Sequence, residues 1–257
     1  MVVGGGPGGY TAAVRTSQLG MKTALVEKET LGGTCLNWGC IPTKALLRNA
    51  EVIHMLKQGR AYGFNLENLS FDYGAAYKRS RSVVSRQSKR VAFLMKNNGI
   101  QVYEGCGRFT NANTMEIEPS GQKLHAENVI IATGSQARQL PGVAFDGEKI
   151  INFRRALDLT RVPASTLIVG AGPIGMEFAT SWSRYGSDVT VVELLEPALP
   201  LPDVPVSPEA ATQYTPHGLT LLTGSSGASL NPLATGGTVT LHSGEPQPSL
   251  SVETVLV

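Results

Sequence analysis

The sequence predicts an α/β protein with parallel sheets, and three observations support this fold class. A pattern of strand, glycine-rich turn, helix, strand and acidic residue opens the chain, and the same pattern returns near its middle. Both turns have the spacing G-x-G-x-x-G, which suits a close approach of the backbone to a phosphate group. A length of 257 residues accommodates one large or two ordinary domains. We therefore predict two Rossmann-like dinucleotide-binding domains with three layers each (β/β/α).

The first pattern starts with a short strand at residues 1–3 and continues through a glycine turn into a helix-like run at residues 10–20. A strand at residues 22–26 then ends at Glu27. In such a unit the glycines allow a tight turn, approach to a pyrophosphate and packing of helix on strand, while the acid accepts hydrogen bonds from ribose hydroxyls. The candidate binding residues are Gly4, Gly6, Pro7, Gly9, Glu27 and Lys28.

The second pattern runs from a strand at residues 166–169 to a helix ending near residue 185 and a strand at residues 189–192. The acid lies eighteen residues beyond the third glycine in both units, since 27 − 9 and 193 − 175 are both 18. Two such units are more specific than one and predict two nucleotide sites. No arginine directly follows Glu193 to hold a 2′-phosphate, which favours NAD over NADP. The candidate binding residues are Gly170, Gly172, Pro173, Ile174, Gly175 and Glu193.

Two of the three cysteines lie in a glycine-containing segment at residues 32–44. Four residues separate Cys35 from Cys40, and the glycines let the chain curl so that the two sulfurs could meet. Pro42 suits the first turn of a helix. Cys40 would then lie at a helix N-terminus, where a thiolate is favoured. Cys40 is thus the better candidate for a thiolate beside an electron-poor ring, and Cys35 for attack on an incoming disulfide.

Two other interpretations of this segment are half a zinc site and two unrelated buried thiols. No second Cys/His pair occurs at ligand spacing, which argues against zinc.

The run at residues 32–47 resembles the active-site segment of the pyridine nucleotide-disulfide oxidoreductases. Within that family it is most similar to the dihydrolipoamide dehydrogenases. Glutathione and mercuric reductases tend to carry Val where this chain has Leu36 and Ile41, and Thr43 stands where Ser is more usual.

The resemblance implies an enzyme that oxidises dihydrolipoamide with NAD⁺ through the Cys35–Cys40 disulfide and FAD. FAD would belong to the first unit, which runs directly into the cysteines, and NAD to the second. Lys44 would lie near the flavin, with Glu177 of the second unit as its partner; without the resemblance, Glu177 would be read as an exposed helix charge. Further flavin contacts are implied at Gly33, Thr34, Cys35, Gly107, Thr133, Gly134 and Ser135.

The resemblance also implies a longer architecture than this chain contains. Relatives continue into a Gly-Asp segment that grips the flavin and a C-terminal dimerisation domain that supplies a His–Glu base to the partner's cysteines. No Gly-Asp dipeptide occurs here, and we expect no dimerisation domain within these 257 residues. We expect an FAD-binding domain with the redox disulfide at residues 1–149 and a truncated NAD-binding domain at residues 150–257.

Several functional alternatives follow from that shortened architecture. The chain could be a nucleotide-binding fragment without lipoamide turnover, or a sister reductase of the mercuric or glutathione type. The partners implied by the resemblance are the lipoyl groups of 2-oxo acid dehydrogenase or glycine cleavage complexes, with a homodimer as the family's usual assembly.

Composition limits the remaining function classes. A net charge of +2 and a charged fraction of 16% argue against a dedicated nucleic-acid binder. No apolar run reaches membrane-spanning length, and Met1 leads straight into a strand, so we expect a cytoplasmic protein. Three cysteines do not form a disulfide framework.

A long predicted helix at residues 71–98 is strongly basic. No acid occurs from Tyr73 to Tyr103, and the helix carries Lys78, Arg79, Arg81, Arg86, Lys89, Arg90 and Lys96. The run indicates a solvated face or a docking face for an acidic partner, and less readily a nucleic-acid surface. We expect Val83, Val84, Val91 and Leu94 to face inward, and Cys106, within a predicted antiparallel strand at residues 102–109, to be buried.

Overall fold

The computed structural model describes residues 1–141, 143–196, 199, 206–214, 218–224, 228–233, 236–243, 245–246 and 250–257. In chain order its elements are β1 (Val2–Val3), α1 (Pro7–Gln18), β2 (Ala24–Glu27), α2 (Gly33–Trp38), α3 (Cys40–Lys57), a 3₁₀ turn (Gly59–Tyr62), α4 (Tyr73–Asn97), β3 (Gln101–Glu104), β4 (Cys106–Asn111), β5 (Thr114–Glu118), β6 (Gln122–His125), β7 (Ile130–Ile131), β8 (Ile150–Ile151), α5 (Phe153–Leu157), β9 (Ser165–Val169), α6 (Pro173–Arg184), β10 (Asp188–Val192), α7 (Val206–Tyr214), β11 (Leu219–Leu222), β12 (Ala228–Leu233), β13 (Gly236–Ser243), β14 (Glu245–Pro246), β15 (Leu250–Val252) and β16 (Thr254–Leu256).

The chain divides into two compact units. The first contains residues 1–42 and 80–136, and the second contains residues 43–79 and 137–257. This division differs from the single predicted boundary between residues 149 and 150. The reason lies in the packing of Leu46, Tyr73 and Ala76, which belong to the hydrophobic core of the second unit.

The first unit has a four-stranded sheet in the order β3-β2-β1-β7. All its pairings are parallel. Val2 and Leu25 pack on one face with Ala13 of α1 and with Met95. The opposite face packs on Met115 and other residues of the antiparallel sheet β4-β5-β6. Because successive strand residues point to opposite faces, the two-residue strand β1 supplies both cores.

The second unit has a five-stranded sheet in the order β11-β10-β9-β16-β8, again with parallel pairings. One face packs on α6, where Phe178 and Trp182 are buried. The other face contributes Leu167 and Val255 to a second core that includes Val252 of β15. Strand β15 pairs antiparallel with β13, as β12 does. Both units therefore have the predicted combination of helices, parallel sheet and antiparallel sheet.

Most predicted elements have counterparts in the structure. The sequence also predicts a helix at residues 207–217; the structure has α7 at Val206–Tyr214, and residues 215–217 lie outside the described residues. Two expectations about side chains are wrong. Leu94 is 37% exposed because the inward position of that helical turn belongs to Met95, which is 1% exposed. Cys106 is exposed on β4.

Among the residues that the structure describes, no helix combines the length and the apolar character needed to cross a bilayer.

Candidate functional site

The first glycine turn brings the end of β1 into helix α1. Gly4 has φ of 101°, and its N–H donates to the carbonyl of Val26 at 2.8 Å. A Cβ at Gly9 would overlap the carbonyl oxygen of Gly4, so no larger residue fits there without a shift of the backbone. Helix α1 begins at Pro7, and no side chain caps it. Its N-terminal N–H groups therefore face a small, glycine-lined space of the kind that receives a phosphate.

The carboxylate of Glu27 closes this turn from the end of β2. Its Oε2 accepts a hydrogen bond from the N–H of Gly5 at 2.5 Å, and its Oε1 accepts from the N–H of Glu29 at 2.8 Å. The chain then crosses back over the turn, since the N–H of Gly32 donates to the carbonyl of Gly5 at 2.8 Å. A Cβ at Gly33 would come within 2.5 Å of the Cα of Gly6. The crossing segment therefore requires glycine beside the turn.

The other predicted flavin contacts of the first unit lie at different distances from this turn. A Cβ at Gly4 would lie 3.1 Å from the Cα of Thr133, so the run Thr133, Gly134 and Ser135 begins beside the turn, and all three residues are exposed. Gly107 lies on β4 and pairs with Ile117. Lys28 directly follows β2 and is exposed, and flavin contacts at Lys28 and Gly107 stay predictions.

The cysteine segment follows the crossing without an intervening loop. Cys35 lies on the six-residue helix α2, and Cys40 is the first residue of α3. The two are joined by a disulfide, with their Cα atoms 4.8 Å apart. Gly39 permits this approach, because a Cβ there would lie 3.1 Å from the carbonyl oxygen of Thr34. The disulfide engages both sulfurs, so neither is free as a zinc ligand. Cys35 is half-buried and Cys40 is exposed.

The sequence did not single out Asn37 or Ser88 beside the disulfide, and it predicted Arg81 only as part of a basic helix. Asn37 is 3% exposed, and its side chain makes hydrogen bonds to the backbone of the crossing segment. Ser88 and Arg81 of α4 bond to Asn37 in turn. Arg81 also lies over the ring of Trp38 at 5.8 Å. The one available signal was an amide, with its large hydrogen-bonding capacity, placed between two cysteines.

Lys44 and Glu177 form an ion pair within the second unit. The Nζ of Lys44 lies 2.5 Å from Oε1 of Glu177, and the two side chains are 59% and 26% exposed. Glu177 is therefore not the isolated helix charge that its sequence context alone would suggest. Lys44 lies four residues after Cys40 on α3. The place of this pair beside a flavin stays a prediction.

The second glycine turn repeats the first in its hydrogen bonds. Gly170 has φ of 106°, and its N–H donates to the carbonyl of Val192 at 2.7 Å. The two carboxylate oxygens of Glu193 accept from the N–H groups of Ala171 at 2.8 Å and Leu195 at 3.0 Å. Helix α6 begins at Pro173 without a side-chain cap, and Ile174, next in the helix, is 54% exposed. A Cβ at Gly172 would meet none of the described residues within 4 Å, and one at Gly175 would overlap the carbonyl oxygen of Gly170.

Both turns suit a dinucleotide. Each presents the N-terminus of a twelve-residue helix, which favours a pyrophosphate, and a carboxylate at the end of the adjacent strand, which suits hydroxyl donors. A carboxylate that already accepts one backbone N–H on each oxygen keeps further lone pairs for such donors.

The basic helix α4 is not a uniform solvated face. Arg79 donates to the carbonyl of Ala45 at 3.2 Å and to the side chain of Asn49 at 3.1 Å. Arg81 donates to the carbonyl of Asn37 at 3.2 Å. Two of the seven cations thus hold neighbouring backbone, whereas Arg86, Lys89, Arg90 and Lys96 are exposed.

Comparison with known proteins agrees with this geometry. A model of the family described as pyridine nucleotide-disulphide oxidoreductase matches residues 1–257. A dihydrolipoyl dehydrogenase from Chlorobaculum tepidum is 46% identical over 223 residues, which cover 86% of this chain and 48% of that protein. The resemblance noted in the sequence is thereby confirmed. The chain spans about half the length of the curated relatives it matches.

Solved structures show the same fold. The HOCl-induced flavoprotein disulfide reductase RclA from Escherichia coli superposes with a TM-score of 0.80 at 26% identity, over 99% of this chain and 55% of that one. LpdA from Mycobacterium tuberculosis gives a TM-score of 0.86 at 23% identity, over 99% of this chain and 57% of that one. The predicted α/β fold is confirmed.

Proposed function

Because this chain belongs to the pyridine nucleotide-disulphide oxidoreductase family, we propose that it is the FAD- and NAD-binding part of a dihydrolipoyl dehydrogenase. The reaction is dihydrolipoamide + NAD⁺ → lipoamide + NADH + H⁺. One observation carries this proposal: the Cys35–Cys40 disulfide follows directly on the segment that crosses the first of two dinucleotide-type turns.

FAD is assigned to the first unit. Gly4, Gly6 and Gly9 leave room for a pyrophosphate at the N-terminus of α1, and Glu27 would accept from the ribose. Pro7 starts the helix, and Gly33 and Thr34 approach the turn with the crossing segment. When bound, FAD supplies a carrier that takes two electrons from the dithiol and passes hydride to the nicotinamide. The further contacts proposed for it are those at Lys28, Cys35, Lys44, Gly107, Thr133, Gly134 and Ser135.

NAD is assigned to the second unit on the corresponding observations. Gly170, Gly172 and Gly175 form its turn, and the carboxylate of Glu193 would accept from the adenosine ribose. Residue 194 is leucine, so no arginine stands next to Glu193 for a 2′-phosphate. Pro173, Ile174 and Glu177 lie in the first turns of α6 and complete the proposed contact set.

The thiol chemistry belongs to the two cysteines. A dihydrolipoyl thiolate attacks the sulfur of Cys35, and the electron pair of the broken disulfide leaves with Cys40 as a thiolate. The second lipoyl thiolate then attacks the lipoyl sulfur of the mixed disulfide, which releases lipoamide and the Cys35 thiolate. The N-terminus of α3, where Cys40 lies, stabilises the Cys40 thiolate.

Lys44 contributes a positive charge on the same helix as Cys40, and Glu177 fixes the direction of its ammonium group. A fixed cation favours negative charge that develops beside it during the reaction, because its orientation is set in advance. The proposed partners are lipoyl groups of 2-oxo acid dehydrogenase or glycine cleavage complexes. Homodimer formation and a cytoplasmic location stay predictions.

Steady-state assays of the purified chain with FAD test the proposal. Wild type should form NADH from NAD⁺ and dihydrolipoamide, and Cys40→Ser should lose at least 10³-fold in rate, in line with losses on removing a covalent catalytic group. The variant should retain its flavin absorbance, and Cys106→Ser, at the exposed third cysteine, is the matched control. Equal turnover by Cys40→Ser and wild type would contradict the proposal. Turnover with NADPH and glutathione disulfide, but not with dihydrolipoamide, would favour a sister reductase.

The half-length of the chain favours a second candidate, a nucleotide-binding fragment without thiol turnover. Titration calorimetry with FAD and with NADH separates the two. Binding of both nucleotides together with no dihydrolipoamide-dependent NADH formation would identify the fragment, whereas steady turnover would exclude it.

A further inference from the structure

We propose that Asn37 is a positioning residue that sets the thiol–disulfide equilibrium of Cys35 and Cys40. Ser88 holds the buried side-chain amide of Asn37 and Arg81 holds its backbone carbonyl, and together these bonds keep α2 in one place whether the sulfurs are bonded or reduced. This inference rests on the disulfide alone and does not require the proposed lipoamide turnover.

The amide nitrogen of Asn37 ties α2 to the crossing segment. It lies within hydrogen-bond distance of three carbonyl oxygens, those of Thr30 at 3.4 Å, Leu31 at 3.1 Å and Gly33 at 3.0 Å. The crossing segment is itself bonded to the first glycine turn through Gly32. The helix that carries Cys35 is therefore anchored to a rigid part of the unit.

The oxygens of Asn37 tie the same helix to α4. Its Oδ1 accepts from the hydroxyl of Ser88 at 2.9 Å, and its backbone carbonyl accepts from Nη1 of Arg81 at 3.2 Å. The guanidinium of Arg81 also faces the ring of Trp38, the next residue. These contacts leave Asn37 3% exposed. Asn37 thus joins two separate parts of the first unit at the point between the two cysteines.

An anchored α2 favours the disulfide over the dithiol. A disulfide needs Cα atoms about 4.4–6.8 Å apart, and the separation here is 4.8 Å. If the anchor persists after reduction, the thiols stay close and their effective concentration is high. If the anchor is lost, the six-residue helix α2 can move away once the covalent bond is broken, and re-forming the bond costs the entropy of bringing it back.

The equilibrium is measured against glutathione. The reaction is protein disulfide + 2 GSH → protein dithiol + GSSG, in which the disulfide gains two electrons and the two glutathione thiols lose them. All variants of the full chain carry Cys106→Ser, so that the exposed third thiol forms no mixed disulfide. The reduced fraction is counted by alkylation and mass spectrometry across a series of glutathione ratios, without added nucleotide.

Asn37→Ala should raise the equilibrium constant for reduction about tenfold, which corresponds to a midpoint potential about 30 mV less negative. Ser88→Ala removes one anchor and should raise it about threefold, and Ser88→Thr, which keeps the hydroxyl, should restore the wild-type value. Ser85→Ala, an exposed serine on the same helix, is the matched control and should change nothing.

Thermal unfolding of the oxidised and reduced forms separates positioning from a purely structural role. If Asn37 only supports the fold, its variants lose equal stability in both redox forms and the equilibrium constant stays unchanged, which overturns the proposal. A Ser85→Ala shift equal to that of Ser88→Ala overturns it as well. Should Asn37→Ala fail to fold, Ser88→Ala and its threonine rescue decide the question alone.

Discussion

The two glycine turns share one hydrogen-bonding frame and differ in what surrounds it. In each, the first glycine bonds to the end of the neighbouring strand, and a carboxylate bonds the next N–H and one N–H beyond itself. A left-handed residue then bonds back to the turn, Gly32 to Gly5 at 2.8 Å and Leu199 to Ala171 at 3.0 Å. The same set of hydrogen bonds therefore forms in both turns, although different residues supply the backbone atoms.

The two turns share their hydrogen bonds but differ in the residues that border them. A Cβ at Gly4 would overlap the carbonyl oxygen of Ala132, and Gly6 faces Gly33, whereas Cβ atoms at Gly170 and Gly172 would meet no described residue within 4 Å. The first turn is therefore bordered by Ala132, which follows β7, and by Gly33 of the segment that leads to the cysteines. The comparison shows that two turns with the same hydrogen bonds differ in the described residues that border their glycines.

The prediction with the largest expected effect tests whether both turns depend equally on their third glycine. Gly9→Ala and Gly175→Ala should each lower the free energy of unfolding of their unit by about 3 kcal/mol or more, because the added methyl overlaps a backbone carbonyl in both. Denaturant unfolding checks this, with Trp38 as the fluorescent probe of the first unit and Trp182 of the second, each in a variant in which the other tryptophan is phenylalanine.

Gly8→Ala is the control for that experiment. Its Cβ would come no closer than 4.0 Å to Ala132, within helix α1, so it should stabilise the first unit by about 0.5–1 kcal/mol. A large loss of unfolding free energy in only one of the variants Gly9→Ala and Gly175→Ala would show that the two turns are not equivalent.

A second prediction concerns the difference between the turns. Gly4→Ala and Gly170→Ala both place a methyl on a backbone with φ above 100°, which costs about 1–3 kcal/mol in strain. Gly4→Ala should cost about 1 kcal/mol more, because its methyl also meets the backbone of Ala132. The two unfolding free energies, measured as above, should differ in that direction. Equal values would mean that Ala132 moves aside without cost.

The carboxylates give a smaller effect. Glu193→Gln should cost about 2 kcal/mol and Glu27→Gln about 1 kcal/mol, since an amide supplies one acceptor where two N–H groups need one each. Glu193 is 9% exposed, so water replaces less of the lost bonding there than at the half-buried Glu27. Chemical denaturation measures both.

Glu51→Gln serves as the control for the carboxylates. Arg48 and Glu51 form an ion pair with side-chain exposures of 58% and 51%, and removal of so exposed a pair should have almost no effect on the free energy of unfolding. A Glu27→Gln loss above that of Glu193→Gln would contradict the argument from burial.

The smallest effect is a difference in acid sensitivity. In the second unit, the side chain of Arg161 and the N–H of Ala164 hold the pKa of the Glu253 carboxyl below its ordinary value of 4.5. A carboxyl with a lowered folded pKa stabilises the fold above the unfolded value, and that contribution is lost as the pH falls from 4.5 through the folded pKa. The loss should stay below about 1 kcal/mol, because the pair is exposed.

Unfolding midpoints between about pH 5 and pH 3, read from Trp182, check this prediction. Wild type should lose more stability than Glu253→Gln over that range, while the Trp38 signal of the first unit should be the same in both proteins. Parallel pH profiles of wild type and variant would show that the ion pair contributes nothing.

Sequence reasoning succeeded where a particular residue type is obligatory. Each turn needs a glycine at the position of Gly9 and a carboxylate at the position of Glu27, so the sequence pattern was sufficient to predict both turns. The bond from Leu199 could not be predicted, because every residue but proline carries the donor. The only local signal at Asn37 was an amide between two cysteines, and its partners on α4 could not be predicted, since Ser88 lies fifty-one residues away.

Helix faces and unit boundaries were harder still. Periodicity placed Leu94 inward, but the helix presents Met95 to the core, a shift of one residue that an apolar run such as residues 91–95 cannot resolve. The assignment of residues 43–79 to the second unit depends on long-range packing of Leu46 and Tyr73. The Lys44–Glu177 pair came from the family resemblance alone, since 133 positions separate the two residues.

Backbone atoms make the bond that closes each turn, so the bond itself does not depend on the chemistry of the side chains at the two residues it joins. Gly5 and Ala171 occupy equivalent places, as do Gly32 and Leu199, and in each pair the side chains differ while the bond persists. The bond uses only the N–H of Gly32 or Leu199 and the carbonyl of Gly5 or Ala171, so proline at the donor position would remove it. The identity of the side chains at this bond is therefore a weaker sequence signal of such a turn than the glycines and the acid.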